Sequence, residues 1–229
     1  MKISILIPTY NEELYILRTL KKVNEQKNKL NLEIIISDDC STDNTISLLN
    51  KNKDLFDKLI TNKKNLGKGA ALKVGLDNCS GEIIIIQDAD LEYNPDEFID
   101  LINPFLNNGA DVVYGSRFLG NKTKRVLYFK NRIANFFLTM LVNLLTNLNF
   151  TDVETGYKAF KKDILKDLEL KEKSFTFEIE FTMKIAKLNK KIYEVGISYN
   201  GRTVEEGKKI KVKDGFLALY CIFKYRFFN

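Results

Sequence analysis

Short apolar runs, each followed by polar residues, recur along the first half of the chain. The clearest run is Ile83–Ile86, four consecutive isoleucines that follow a turn signal at Ser80 and Gly81. A short β-branched run of this kind is typical of a strand buried on both faces. Similar runs predict strands at residues 2–7, 32–37, 55–61 and 110–114, and Pro8 is expected to end the first of them. Helical spacing between these runs predicts an α/β fold with a mostly parallel, doubly wound central sheet flanked by helices.

Three carboxylates directly follow the isoleucine run. Asp88, Asp90 and Glu92 are spaced two residues apart, so in an extended segment they project to the same side and repel one another. A divalent cation removes this repulsion, and oxygen ligands select Mg²⁺ or Mn²⁺. Open parallel sheets place ligands outside the carboxyl ends of their strands. The pattern therefore indicates a metal site, and the alternative is a solvated acidic turn before a helix near Pro95.

The second half of the chain has a different pattern. No Asp or Glu occurs from Val112 to Thr151, whereas six basic residues lie there: Arg117, Lys122, Lys124, Arg125, Lys130 and Arg132. In the apolar segment that follows, polar residues recur at every fourth position: Asn135, Thr139, Asn143 and Asn147. On a helix they form one narrow stripe beside a wide apolar face. Such a helix is buried in the core or a dimer interface, or it lies in a membrane interface, which the basic lead-in favours.

The C-terminal segment also carries an apolar face. At helical spacing, five residues share this face: Phe216, Leu219, Tyr220, Phe223 and Phe227. This helix either docks on the domain or lies on a bilayer. The pattern therefore changes near residue 118, between residues 1–117 and residues 118–229, without a linker that would separate two domains.

Two further segments bear on the fold. Residues 65–71, NLGKGAA, open a helix, and their glycines could let the backbone approach a phosphate that Lys68 could also touch. The P-loop spacing is absent. The pattern at residues 190–198 predicts an edge strand. The pattern at residues 175–181 is compatible with either a strand or a helix.

Composition narrows the chemistry. The chain has 229 residues, 45% of them hydrophobic, which predicts one domain spanning residues 1–229 with a full core. It contains no histidine, which excludes Ser-His and Cys-His catalysis and the usual zinc sites. The three cysteines form no CxxC pair and fit a reducing cytoplasm. The net charge of +6 is a modest basic excess, and no apolar stretch approaches the roughly 20 residues of a membrane span.

Six motifs in order resemble a known family over nearly the whole chain. They are PTYNEE at 8–13, SDDCSTD at 37–43, QDADLEY at 87–93, GSRF at 115–118, DVETGYKAF at 152–160 and GRTVEEGKKI at 201–210. Together they resemble the family 2 inverting glycosyltransferases with the GT-A fold, in the branch of dolichol-phosphate mannose synthases and polyprenyl-phosphate glycosyltransferases. A single DxD pair is weak evidence, whereas six ordered motifs are strong evidence.

The resemblance implies roles for individual residues on the donor side. It assigns these to the nucleotide-sugar pocket: Pro8, Tyr10, Glu12, Asp38, Asp39, Asp88, Ala89, Asp90, Arg202 and Lys208. Asp38 or its neighbour Asp39 would bind the base. Asp88 and Asp90 would hold Mg²⁺ or Mn²⁺ on the donor diphosphate with Glu92 as a third ligand, although the synthases commonly have Gln there. Arg202 and Lys208 would belong to a mobile loop that closes on the donor phosphates.

On the acceptor side, the resemblance implies that Arg117 and Arg132 face a phosphate and, with Asp90, carry the catalysis. The expected reaction moves a hexose from GDP-mannose or UDP-glucose to a polyprenyl or dolichyl phosphate, with inversion. A lipid phosphate has a second pKa of about 6 and is ionised near neutral pH, so it needs no general base. The resemblance also implies that residues 1–117 form the nucleotide-sugar-binding half and residues 118–229 the acceptor-binding and membrane-facing half. The implied location is peripheral, at the cytoplasmic membrane face, alone or with a membrane-protein partner or as a homodimer.

Three alternatives remain open. The same fold could use a soluble or saccharide acceptor, whose hydroxyl would need a carboxylate base such as Asp90 or Glu178. A sugar-nucleotide pyrophosphorylase would need a glycine-rich loop after the first strand, and PTYNEE is not one. A basic nucleic-acid-binding module is disfavoured by the acidic strand ends, so no nucleic-acid partner is expected.

Overall fold

A central sheet carries the fold in the computed structural model, which describes residues 1–203, 205–207, 209 and 212–228. Its strands are β1 (Ile3–Thr9), β2 (Leu32–Asp38), β3 (Lys58–Thr61), β4 (Ile83–Ile86), β5 (Val112–Ser116), β6 (Lys158–Lys161) and β7 (Ile192–Gly196). The helices are α1 (Ile16–Glu25), α2 (Thr45–Lys51), α3 (Lys68–Asn78), α4 (Phe98–Asn107), α5 (Phe129–Thr146), α6 (Phe177–Ile185) and α7 (Val212–Phe227).

The strands are ordered β3-β2-β1-β4-β6-β5-β7. All neighbouring pairs are parallel except those of β6, which runs antiparallel to both β4 and β5. The predicted mostly parallel α/β sheet is therefore confirmed. Because β6 is reversed, the carboxyl ends of β1, β2, β4 and β5 all reach the same edge of the sheet.

Apolar side chains cover both faces of the sheet. Within β4, Ile84 and Ile86 pack in one core cluster, whereas Ile83 and Ile85 pack in the other. The first cluster includes residues of α3, α5, α6 and α7, and the second includes residues of α1, α2 and α4. The isoleucine run is thus buried on both faces, as its composition predicts.

Some predicted bounds were wrong. Pro8 lies inside β1, where it is paired in register with Ser37 of β2. On the other side, β4 pairs with β1 only as far as Leu6, so the missing N–H of Pro8 breaks no hydrogen bond with β4. The third strand begins at Lys58 rather than near residue 55. Residues 177–185 form α6, so the open choice at 175–181 resolves to helix.

The two apolar helices of the second half pack against each other. Among the described residues, no helix is long and apolar enough to cross a membrane.

Candidate active site

Asp88 lies just beyond β4, at the edge of the sheet where the carboxyl ends of β1, β2, β4 and β5 meet. Its Oδ1 lies 2.8 Å from Lys68 Nζ at the start of α3, and the same ammonium lies 2.9 Å from Glu178 Oε1 at the start of α6. These two carboxylates outweigh the effect of burial and raise the pKa of Lys68 well above its usual value. Lys68, which the sequence offered as a phosphate contact, here joins two carboxylates. The sequence did not predict that Lys68 would pair with Asp88 and Glu178.

Asp90 and Glu92 share a different cation. The Arg202 guanidinium bonds to Asp90, lies 3.3 Å from Glu92 Oε1 and reaches Glu12 Oε2 at 3.2 Å. Tyr199 also donates its hydroxyl to Glu92 at 2.8 Å. The structure therefore brings the predicted donor residues Glu12, Asp90 and Arg202 together.

Asp88, Asp90 and Glu92 supply the kind of oxygen ligand that a divalent cation prefers. Burial, and then the negative charges of Glu92 and Asp88, raise the pKa of Asp90 to about 7. Crowded oxygen donors of this kind suit Mg²⁺ or Mn²⁺. Among the residues that the structure describes, however, no group of three or more Asp, Glu, Cys or His side chains is arranged to hold an ion. The ligand roles of Asp88, Asp90 and Glu92 stay predictions.

The end of β2 forms the neighbouring part of the edge. Asp38 accepts hydrogen bonds from the Ser41 backbone and hydroxyl, and Asp39 accepts from the Leu66 and Gly67 N–H groups. Both carboxylates thus fix loops beside the predicted nucleotide pocket. Whether either binds a base stays a prediction.

Three other predicted donor residues lie close by. Pro8 is buried within β1, and Ala89 is buried and accepts the Thr19 hydroxyl at its carbonyl, 2.8 Å away. The Tyr10 ring lies 5.8 Å from Lys209 Nζ, which also pairs with Glu12. Lys209 is therefore a further basic residue at this site. Lys208 lies outside the described residues, so its predicted phosphate role stays a prediction.

The predicted acceptor residues lie on the side of β5 and α5. Arg117 forms a two-pronged pair with the buried Asp152, at 2.7 and 2.8 Å, and Asn135 of α5 donates to the same carboxylate. Burial alone would raise the pKa of Asp152, but the Arg117 guanidinium keeps it below its usual value. Arg117 and the exposed Arg132 both lie 5.8 Å from the centre of the Phe118 ring, so the two guanidinium groups contact the same side chain.

Two side chains, Tyr199 and Glu154, link the donor and acceptor sides. Tyr199, bonded to Glu92, carries Arg117 5.2 Å above its ring. Glu154 is close enough to Glu178 and Arg117 for both charges to affect its ionisation. Burial, and then the charge of Glu178, raise the pKa of Glu154 to about 7. Sequence reasoning missed Glu154 as a site residue, although it stands in the DVETGYKAF motif.

Lys158 is a buried cation close to Glu154 and Glu178. Its ammonium is fully buried, donates to the Val153 and Thr155 carbonyls and lies 4.9 Å from the centre of the Tyr114 ring. Burial lowers the pKa of Lys158 to about 8, against the opposing charges of Glu178 and nearby carboxylates. The sequence analysis did not predict a buried lysine among these carboxylates.

A mostly parallel sheet with this strand order and a carboxylate-rich edge defines the GT-A class of α/β folds. Residues 4–169 match the family described as Glycosyl transferase family 2. The chain therefore belongs to glycosyl transferase family 2, as its six motifs indicated.

Individual relatives agree with this assignment. A dolichol-phosphate mannosyltransferase of Pyrococcus furiosus is 27% identical over 217 residues, which cover 92% of this chain and 61% of that protein. The chain thus spans about three fifths of that relative. An uncharacterized protein of Methanocaldococcus jannaschii is 30% identical over 214 residues, covering 87% of this chain and 89% of its own length.

The fold also has solved counterparts. The glucosyl-3-phosphoglycerate synthase of Mycobacterium tuberculosis, in complex with Mn²⁺, uridine diphosphate and phosphoglyceric acid, superposes with a TM-score of 0.75 at 20% identity. The similarity covers all of this chain and 79% of that one. At this identity the likeness establishes the GT-A fold.

Proposed function

We propose that this glycosyltransferase moves a hexose from a nucleotide-diphosphate sugar to a polyprenyl or dolichyl phosphate at a membrane surface. The transfer is metal-dependent and inverts the sugar's anomeric centre. GDP-mannose and UDP-glucose are the candidate donors, and the cytoplasmic membrane face is the proposed location. The observation that carries the lipid part is the orientation of α5.

Helix α5 buries Asn135 and Thr139 of its polar stripe together with Leu138 and Val142, and it leaves several large apolar side chains exposed. Asn135 and Thr139 are buried at 8% and 5% exposure and hydrogen-bond to each other and to Asp152. Phe136 and Leu144, by contrast, are 63% and 73% exposed. A soluble helix normally buries its apolar side, so this arrangement favours an apolar partner for the outer face.

Helix α7 extends the exposed apolar surface. The predicted face of this helix is exposed along its length: Phe216, Leu219, Tyr220, Phe223 and Phe227. Its opposite side, with Ile222 and Tyr225, is buried in the core. Basic side chains precede α5, an arrangement that suits lipid headgroups. We therefore assign a bilayer surface, rather than a second protein copy, to this apolar surface.

A groove beside α5 offers space for the lipid chain. It has a volume of about 550 Å³ and is lined by Phe136, Met140, Leu144 and Phe150, with polar residues on its other side. Thr151 at its end bonds to Ser116, and the adjacent residues Asp152 and Arg117 form the acceptor-side ion pair. A prenyl chain in this groove would direct its phosphate toward the two arginines.

The name of the Pyrococcus relative supports the lipid acceptor, because that protein is a dolichol-phosphate mannosyltransferase. The synthase of Mycobacterium tuberculosis was solved with Mn²⁺ and uridine diphosphate, which supports testing a uridine donor and manganese first.

The site residues account for the chemistry as follows. Asp88 and Asp90 would hold a divalent cation, which neutralises charge on the donor diphosphate. Arg202 is within reach of the same oxygens and adds a second positive charge for the leaving group. Arg117 and Arg132 orient the acceptor phosphate by charge-assisted hydrogen bonds, and Asp152 holds Arg117 in position. The phosphate oxygen is already ionised, so no histidine is required.

The decisive experiment incubates the purified chain with polyprenyl phosphate in detergent, labelled UDP-glucose or GDP-mannose, and Mg²⁺ or Mn²⁺. A labelled glycolipid whose anomeric configuration is opposite to that of the donor is the expected product. Polyprenol without phosphate should give none. Asp90→Ala should abolish turnover with the fold intact, and Arg132→Ala should chiefly raise the KM for the lipid phosphate.

Two results would contradict the proposal. Turnover with a soluble acceptor and none with lipid phosphate would assign the alternative acceptor class. A loss of donor affinity alone in Arg132→Ala would remove that residue from the acceptor side.

A further inference from the structure

Two buried carboxylate oxygens behind Asp88 have no hydrogen-bond partner. They are Glu178 Oε2 and Glu154 Oε1, and neither accepts a hydrogen bond from any residue that the structure describes. Glu178 is only 5% exposed. A buried carboxylate oxygen without a donor is costly, so such atoms in a folded protein indicate a missing partner.

The surrounding charges do not supply that partner. Lys68 occupies the other oxygen of Glu178, and the buried ammonium of Lys158 donates to backbone carbonyls. Four carboxylates lie in this group, Asp88, Asp152, Glu154 and Glu178, against three cations, Lys68, Lys158 and Arg117. The unpartnered oxygens therefore remain acceptors in a site with an excess of negative charge.

The position of the two oxygens relative to the donor identifies the partner. A single ammonium, 2.8 Å from Asp88 and 2.9 Å from Glu178, separates Glu178 from the carboxylate assigned to the donor diphosphate. The sugar is attached to that diphosphate, and Glu154 is near both Glu178 and Arg117, whose charges affect its ionisation. An ionised carboxylate accepts hydrogen bonds at both oxygens, and a protonated carboxyl still accepts at its carbonyl oxygen, whereas a sugar ring presents hydroxyl donors on adjacent carbons.

We propose that Glu154 and Glu178 together bind hydroxyl groups of the donor sugar and thereby determine which sugar is accepted. The inference rests on the proposed function and deepens it. A buried carboxylate pair rejects a sugar that lacks the matching hydroxyl, because the carboxylate would then stay unpaired. It does not contact the nucleotide, so nucleotide and sugar recognition are separable in this site.

Calorimetric binding tests this separation in the presence of Mn²⁺. UDP-glucose is compared with UDP, and GDP-mannose with GDP, on the wild type and on Glu154→Gln and Glu178→Gln. We expect each variant to bind the sugar nucleotide about tenfold more weakly, and the free nucleotide within about twofold of wild type. Glu154→Gln is the cleaner variant, because Glu178 also pairs with Lys68.

Glu33→Gln is the matched control. Glu33 is an equally buried carboxylate at the opposite end of β2, bound by Ser4, Ser80, Lys2 and Lys58. Its neutralisation should leave both ligand affinities unchanged, which separates a site effect from a general loss of stability. Melting temperatures of all variants verify that each is folded.

The outcomes distinguish this inference from the proposed function. If Glu154→Gln weakens the binding of the nucleotide and of the sugar nucleotide equally, or weakens the binding of neither, the proposal that the pair binds sugar hydroxyls is overturned. The glycosyltransferase proposal then still stands. If the wild type binds neither UDP-glucose nor GDP-mannose, the donor assignment itself fails, and this inference fails with it.

Discussion

The position of the Asp88 side chain depends on the lack of a side chain at Gly156. A Cβ atom on Gly156 would lie 2.7 Å from Asp88 Oδ2 and 3.2 Å from Lys68 Nζ. Only glycine therefore lets the loop before β6 approach the carboxylate so closely. Because the loop is fixed on its other side by the hydrogen bond from Gly156 N to the Tyr93 hydroxyl, the side chain of Asp88 would have to move.

Gly156→Ala should therefore weaken the binding of Mn²⁺ and of the sugar nucleotide by about tenfold or more, with a small effect on the fold. Isothermal titration with each ligand measures this. Gly215→Ala is the control, since no atom lies within 4 Å of its added Cβ. In α7 that change should stabilise the protein by about 0.5–1 kcal/mol. Unaltered ligand affinity in Gly156→Ala would show that Asp88 does not hold the metal.

The ionisation of Glu154 gives a prediction for stability. Its pKa is raised to about 7 in the folded protein, from an ordinary value of 4.5, by burial and by Glu178. Between these two pH values the folded protein keeps a proton that the unfolded chain has released. The free energy of unfolding contributed by Glu154 therefore falls as the pH rises through this window.

In Glu154→Gln this decrease in unfolding free energy with rising pH is removed, because glutamine does not ionise. The difference in unfolding free energy, variant minus wild type, should increase by about 2–3 kcal/mol between pH 5 and pH 8. Urea denaturation in EDTA at several pH values measures it. Parallel pH curves for the two proteins would mean that Glu154 ionises normally in the folded state.

At the scale of elements, α5 shows what a sequence pattern does and does not determine. The four-residue spacing from Asn135 to Asn147 correctly predicts a single polar stripe on a helix. It does not determine which side faces the core, because that depends on Asp152 and Phe150, which follow the helix and bind Asn135 and Asn143. These polar partners hold Asn135 and Asn143 against the protein, whereas Asn147 beyond the helix is exposed and large apolar side chains such as Phe136 have no partner in the described structure.

Replacing Phe136 and Phe137 together by serine should reduce binding to vesicles of anionic lipid by about tenfold or more, because both rings are largely exposed on α5. Vesicle co-sedimentation measures the loss. Serine at Leu14 and Leu106, two exposed leucines outside α5 and α7, gives a matched control that should bind like the wild type. Equal binding by both double variants, or a dimer dissociated by the Phe changes, would contradict the membrane assignment.

For the whole molecule, the sequence predicts the sheet and its charged edge but not the pairs formed there. Buried isoleucine runs and the acidic residues after them are local signals, so the strands and the position of Asp88 and Asp90 follow from the chain itself. The Lys68–Glu178 and Arg117–Asp152 pairs join residues 110 and 35 positions apart, and only the closed fold brings them together. Pro8 was misplaced because its effect depends on how far β4 extends beside β1.

The most distant of these links is that of Arg202, which connects the C-terminal part of the chain to the ends of β1 and β4. Its guanidinium pairs with Glu12, Asp90 and Glu92 at the position predicted for the metal. The guanidinium balances part of the negative charge of these carboxylates. A metal ion held by Asp90 would therefore compete with Arg202, and a donor diphosphate would offer the guanidinium another partner.

Arg202→Gln separates these two roles. We expect Mn²⁺ alone to bind about tenfold more tightly, because the competing guanidinium is gone, whereas the sugar nucleotide should bind more weakly at saturating Mn²⁺. In EDTA the variant should lose about 3–5 kcal/mol of unfolding free energy, since three largely buried carboxylates lose a counterion. Lys166→Gln, which breaks an exposed pair with Asp163, should change none of these quantities. Weaker binding of Mn²⁺ alone to Arg202→Gln would show that the ion and the guanidinium do not share Asp90.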